Sequence, residues 1–567
     1  MTRIVRHQRS VGPLLTAALI LLLLTLFLLL PVGSVIIAAF SDGAGGLTLA
    51  HVGAAMQQSL FVESFWNSFA VAAWSVLFAT LIAVPLAYFT VRFEFRGALL
   101  IQTLGVLPLV MPPFVGAVAM QLIFGRSGSV NLLLEDAFGF KLPLMQDLIG
   151  VVFVESIHYF PFILMNLVAA MRNIDGSMEE SAMNLGARGW RLFRRIVFPL
   201  SLPGYVAGAS LVFVKVFDDL GTPLVLGQTN MLAPQAYLRI TSVGLDDPLG
   251  YVISVVMILL SIAALGLSAW TLKGRDFATL QKGGASLRRR RLSGLESVAA
   301  TSWIVVLLAV VLSPHLGLLL MSFSSVWSFS VLPEGFTLAH YATVFEDAGP
   351  MIANTLLYCS LAALVDVVIG VAIAYLILRT RLVGRHWLDW IASASLAIPG
   401  VVLAIGFMRI FRDLELPFGG GAVIGSALMI VVAYAVRRLP YAVRSCVAAL
   451  QQLHISLEEA AQSLGAHRMS VIRRVVVPLM SGGIAAGFIT SFMTAAVELS
   501  ATIMLVSAES QAPMSYGIYL YMQSVSGRGP GAALGVLAVA IVAFGTWLSH
   551  RQAERSGQPL QHDRGGG

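Results

Sequence analysis

Apolar runs of 18 residues or more recur along the whole chain, the first from Leu14 to Phe40. A helix needs about 20 mostly apolar residues to cross a bilayer. Of the 567 residues, 57% are hydrophobic and 11% charged, against about 25% charged in a soluble domain. The apolar content is therefore laid out in spans and not gathered into one core. Twelve spans are expected, near 14–40, 64–89, 98–124, 148–171, 200–220, 249–272, 298–323, 351–378, 388–411, 423–450, 480–506 and 529–549. Only helices and closed barrels satisfy backbone groups in lipid, and barrel strands are short and alternating. The expected fold is all-α and integral to the membrane. The first run follows Arg3, Arg6 and Arg9. It exceeds the about 7–15 apolar residues of a signal peptide and reads as a retained helix.

The formal charge of +7 does not point to nucleic acid, because the basic residues lie between spans rather than on one face. With the N-terminus inside, the inner segments hold 26 Lys and Arg. The outer loops hold six: Arg126, Lys141, Arg239, Arg409, Arg412 and Arg528. That bias predicts both termini on the cytoplasmic side. Cys359 and Cys446 lie far apart, in or beside spans, and imply neither a disulfide framework nor a Cys-rich metal site. Lys273 to Leu295, with Arg288 to Arg291 and two adjacent glycines, reads as a cytoplasmic linker.

The chain is internally duplicated. Residues 179–204, EESAMNLGARGWRLFRRIVFPLSLPG, align without a gap on 458–483, EEAAQSLGAHRMSVIRRVVVPLMSGG, with twelve of 26 positions identical and a constant offset of 279. Upstream, Asn67, Ala87, Tyr88, Arg92, Gly97 and Pro112 match Asn354, Ala374, Tyr375, Arg379, Gly384 and Pro399 at an offset of 287. Each half carries six expected spans, an even number, so the halves, 1–280 and 281–567, are parallel repeats.

Both repeated segments fall on the expected cytoplasmic side and are polar. Ser177 lies three residues before Glu180 and Ser456 three before Glu459, the spacing of a capping box. Gly186 and Gly465 follow where a left-handed residue would end the helix. A second basic stretch, closed by Pro199 or Pro478, predicts a short helix, a sharp turn and another short helix. For Arg194-Arg195 and Arg473-Arg474, contact with lipid headgroups is the plain alternative to a docking role.

Glu180-Ser181-Ala182 with Gly186 and Pro199, and Glu459-Ala460-Ala461 with Gly465 and Pro478, resemble the EAA loop of binding-protein-dependent ATP-binding-cassette (ABC) importer permeases. Ser181 and Phe198 in the first copy, and Val475 and Val477 in the second, depart from the family pattern. The resemblance implies the type I importer permease fold. It also implies that Glu179, Glu180, Ala182, Gly186 and Pro199, with Glu458, Glu459, Ala461, Gly465 and Pro478, couple the spans to a separate ATPase. Two loops imply two ATPase copies, and substrate would come from a periplasmic binding protein. No Gly-x-x-x-x-Gly-Lys-Ser/Thr phosphate loop occurs; no lysine follows a glycine anywhere. The chain is expected to be no enzyme and to hold no cofactor or resident metal.

Ionisable residues within spans are candidate pathway residues. These are Asp366 and the Asp218-Asp219 pair, with Asp219 matching Glu498 at the 279 offset; Arg437 and Arg438 lie late in the tenth span. The plain alternative for the acids is an interhelical ion pair. The wording Asp219-Leu220-Gly221-Thr222-Pro223 and Glu498-Leu499-Ser500-Ala501-Thr502 is similar to fused ferric-iron permeases, which implies a ferric cargo. Fused permeases for 2-aminoethylphosphonate, thiamine or polyamines are the alternatives within the family. An ion-coupled secondary transporter is the alternative outside it, and it leaves the paired loops without a use.

Overall fold

The computed structural model describes residues 11–42, 46–95, 100–101, 104–272, 290–415 and 422–555. The N-terminal arginines, Gly97 and most of the linker between halves lie outside them. All twelve expected spans are found as helical segments, but not all as unbroken helices. Among the described residues nine helices are long and apolar enough to cross a membrane, from Gly12–Phe40 to Arg528–Leu548. The other three, expected at 388–411, 423–450 and 480–506, are modified by their own residues. Ala427–Gln452 is long enough but carries Arg437, Arg438 and Arg444. The span expected at 388–411 is two helices, Arg385–Ala394 and Gly400–Ile410, parted just before Pro399. The span expected at 98–124 is among the nine, as Pro113–Phe138, but it too is interrupted at Pro112, before the helix Pro113–Phe124. A proline offers no N–H and pushes the preceding residue out of helical geometry. Pro112 and Pro399, matched in the repeat, therefore interrupt the same span of each half.

The fifth span corrects an expectation. In the first half there is no separate second loop helix: the chain is helical from Gly189 to Asp218. In the second half Arg468–Leu479 and Ser481–Ala496 meet at a bend of 71°. Each carries one wide turn, Phe193–Val197 or Ile472–Val476, closed by Phe198 N–H on the Phe193 carbonyl or Val477 N–H on that of Ile472. That turn lies immediately ahead of Pro199 or Pro478 and absorbs the missing proline donor. The extra bend falls where Ser481 is followed by Gly482 and Gly483, small residues that favour kinks.

Contacts divide the chain into two compact units that do not follow the sequence halves. One contains residues 39–348 and 516–539; the other contains 1–38, 349–515 and 540–567. Within the first, Ser59–Arg92, Asp147–Arg172 and Phe198–Asp218 pack together, and Gly294–Phe323, the first helix of the second half, packs on Pro113–Phe124. Within the second, Gly349–Arg379, Ala427–Gln452 and Ser481–Ala496 pack together, and the N-terminal helix joins them. Ile20 and Leu24 are buried there with Ile373, Leu376, Leu388 and Leu439, and Phe27 stacks on Phe411 at 5.8 Å. Each half thus places its first helix in the other unit.

Small residues set the helix spacing. A Cβ on Gly204 would collide with the Asn166 carbonyl and Ala170, and one on Gly483 with Ala449. Both glycines sit at the same repeat position and bring the fifth span against the fourth, the close approach that holds helices together in lipid. Side chains near the start of Ser59–Arg92 and Gly349–Arg379 then fix the segments after the fifth span. Ser68 accepts from Leu232 N–H at 2.8 Å and Thr355 from Met514 N–H at 2.7 Å.

Candidate functional site

The two repeated loops form matching elbows, one in each unit. In the first, the helix Gly176–Asn184 is capped by Asp175, whose Oδ1 accepts from Ser177 N–H at 2.9 Å. In the second, Ser456–Ser463 begins with Ser456 N–H donating to His454 Nδ1 at 3.3 Å. The capping box expected on Ser177 and Ser456 is therefore corrected. Asp175 and His454, themselves at the 279 offset, present acceptors two residues earlier, and the serines fall inside the helix. The helix ends are as expected. Gly186 and Gly465 have φ of +85° and +86°. Ala187 N–H reaches the Ala182 carbonyl at 2.9 Å and Ala466 N–H that of Ala461 at 3.1 Å, a reversed turn that only a left-handed residue permits without strain.

The two glutamates of each pair separate into different environments. Glu179 is buried, and both its oxygens accept from the Arg92 guanidinium, at the very end of Ser59–Arg92. Glu458 is buried equivalently: Arg379 Nε donates to it at 2.6 Å and Tyr375 Oη at 3.4 Å. Arg379 also donates to the Leu453 carbonyl at 2.7 Å. Each loop is thus tied to the end of one span by a buried ion pair. Glu180 and Glu459, one residue on, are exposed. Ala182 is buried and Ala461 half-buried, facing the protein, where a larger side chain would lift the helix.

What each elbow offers outward is apolar. Leu185 and Leu464, beside the glycines, are each 90% exposed, with Trp190 at 71% and Met469 at 72%. All four sit at equivalent repeat positions, and such paired apolar tips mark an interaction surface. Behind the tips the elbows differ. Trp190 stacks on Phe193 at 5.2 Å, and Phe193 packs on Tyr88 at 5.0 Å. The second elbow has Met469 and Ile472 in those places. There Tyr375, Arg379, Glu459, His467 and Arg468 line an open cleft of about 440 Å³. Leu185, Leu464, Arg92 and Arg379 are not among the site residues expected from sequence. Their signal was present in the duplication: Arg92 and Arg379 match at 287, and the leucines are identical at 279.

The candidate pathway acids are not brought to one place. Glu498 is buried and paired with Arg437 and Arg438, and its Oε1 accepts from Ala501 N–H at 3.1 Å. Asp366, fully buried in Gly349–Arg379, neighbours the same Arg438 and Ser491. Asp218 closes the helix Phe198–Asp218. Asp219 lies two residues ahead of the short helix Gly221–Val225 and accepts from Gly221 N–H at 3.0 Å and Thr222 N–H at 3.3 Å. Among the described residues no cluster of three His, Cys, Asp or Glu could hold a metal ion.

Residues 75–274 and 366–556 each match the family described as binding-protein-dependent transport system inner membrane component, and each match contains one elbow. The chain is 28% identical to the ferric transport system permease protein of Actinobacillus pleuropneumoniae, over 95% of this chain and 78% of that one. It is 27% identical to a putative ferric transport system permease protein of Haemophilus influenzae, over 88% of this chain and 78% of that one. The molybdenum transport system permease protein of Escherichia coli is 28% identical over 36% of this chain and 90% of its own length.

Proposed function

Since the chain belongs to the binding-protein-dependent transport system inner membrane components, multi-pass permeases of ABC importers, we propose that its cargo is ferric iron and that the two elbows are its contacts with a pair of ATPase subunits. The cargo reading is supported by the relatives that match across both halves, whose names specify ferric transport. The molybdenum relative spans about a third of this chain. The coupling reading is carried by one observation: two exposed Leu-Gly tips, each mounted on a helix held to a span by a buried Arg–Glu pair. A force applied to either tip reaches Arg92 or Arg379 through an ion pair that cannot slide, and from there the span. Glu180 and Glu459 flank the tips as exposed charges for a basic partner surface. The partners in this scheme are two copies of a separate ATPase and a periplasmic binding protein that delivers iron, with both chain termini cytoplasmic.

The test is co-purification with the cognate ATPase. Single L185D or L464D variants are expected to halve the ATPase recovered per permease, and the double variant to reduce it below a tenth while membrane insertion is kept. Wild-type recovery in the inserted double variant would refute the docking assignment. Uptake of radioactive ferric iron by cells expressing the whole system tests the cargo, with 2-aminoethylphosphonate as the competing substrate.

A further inference from the structure

We propose that Glu155, Asp219 and Thr222 form a station for a hard metal cation inside the membrane; this rests on the ferric reading of the cargo. Glu155 lies in the helix Asp147–Arg172, eight residues from its start, or about 12 Å along its axis. It is fully buried, and its carboxyl neighbours the Asp219 carboxyl and the Thr222 hydroxyl. No hydrogen bond of ordinary geometry joins either Glu155 oxygen or the Thr222 hydroxyl, which is also fully buried, to a partner, although Asp219 and Thr222 stand close enough to Glu155 to share one with it. Groups of this kind are normally satisfied. Two acceptor carboxylates that converge with a single hydroxyl as donor describe a place for something positive.

The duplication supplies a control within the same chain. At the 279 offset Tyr434 stands where the first half has Glu155, and its hydroxyl bonds the Thr502 hydroxyl at 2.7 Å. Arg437 and Arg438 stand where the first half has His158 and Tyr159. One half therefore sets Glu498 between two guanidiniums, with Asp366 beside one of them. The other holds two carboxylates and no guanidinium. The basic groups of that region, Lys215, His158 and His315, cluster with one another. Like charges side by side repel, and a cation between them relieves the repulsion. Two carboxylates and a hydroxyl suit a hard, oxygen-seeking ion. Three protein donors are fewer than such an ion's full shell, and an ion in transit must also be able to leave.

The experiment uses the full chain in lipid nanodiscs, with Tb³⁺ as a hard trivalent probe detected by its luminescence and competed by Ga³⁺. Wild type is expected to show a Ga³⁺-sensitive site that E155Q and D219N each weaken at least tenfold. E346Q, at an exposed acid, leaves it unchanged. Equal Tb³⁺ affinity in wild type and folded E155Q overturns the station and leaves a carboxyl pair that shares a proton. Should E155Q aggregate, T222V decides: unchanged affinity in the folded variant overturns the proposal equally. Failure of wild-type cells to take up ferric iron would remove the cargo reading. A Glu155-dependent Tb³⁺ site would survive that result as a site for another hard cation.

Discussion

The Glu179 carboxylate accepts from Arg92 in a buried ion pair, whereas Glu180, the next residue, lies exposed. Removing one partner of a buried pair leaves an uncompensated charge and costs about 3–5 kcal/mol; changing an exposed residue costs within about 0.5 kcal/mol. E179A is therefore expected to lower the unfolding temperature of the purified chain sharply, and E180A to leave it unchanged while reducing ATPase stimulation. Similar melting curves for the two variants would mean that the Arg92 pair carries no structural weight. The sequence pattern marks both glutamates of each loop but not their sides. On a helix successive residues point about 100° apart, and only the partner decides which one turns inward. That partner, an arginine 87 positions earlier, shows itself in sequence only as a repeat match. The caps were obscured differently: Asp175 and Ser177 are both good N-caps, and the helix starts at the earlier one.

The elbow is the element in which local sequence and structure agree most closely, because Gly186 and Gly465 have one physical reason to be glycine. An added Cβ meets no neighbour at either position, so the penalty for substitution lies in the backbone alone, about 1 kcal/mol for a left-handed non-glycine residue. G186A and G465A are expected to insert and assemble normally. Both should lose several-fold in ATPase stimulation, because the turn opens and Leu185 or Leu464 leaves its place. Stimulation at wild-type level in the double variant would show that the turn geometry does not matter to docking. The same logic explains why the spans were legible in number but not in form. Hydropathy counts apolar residues over a window and is blind to a single missing N–H. Pro112 and Pro399 break one span of each half in a stretch of unchanged hydropathy. The 71° bend at Met480 falls beside Gly482 and Gly483, where the first half has Pro203 and Gly204.

At the scale of the whole chain, the repeat is one of sequence and the packing exchanges its parts. Residues 12–38 of the first helix belong with residues 349–515, and Gly294–Phe323 with residues 39–348. No periodicity announces such an exchange, because an apolar helix presents the same composition to either set of neighbours. In lipid the two arrangements differ only in side-chain packing. Here the packing is specific: a Cβ on Gly406 would collide with the backbone at Pro31, and one on Gly317 with Ile123. Expressed alone, residues 1–280 would lack Gly294–Phe323 and keep a first helix with nothing to pack on, and residues 281–567 would suffer the converse. Co-expressed as two chains, the pieces are expected to purify together and to restore ferric uptake; either alone should accumulate to less than a tenth of that level. Stable accumulation of one piece by itself would show that the exchanged helices are dispensable. The halves would then stand as independent folding units, as the duplication by itself suggests.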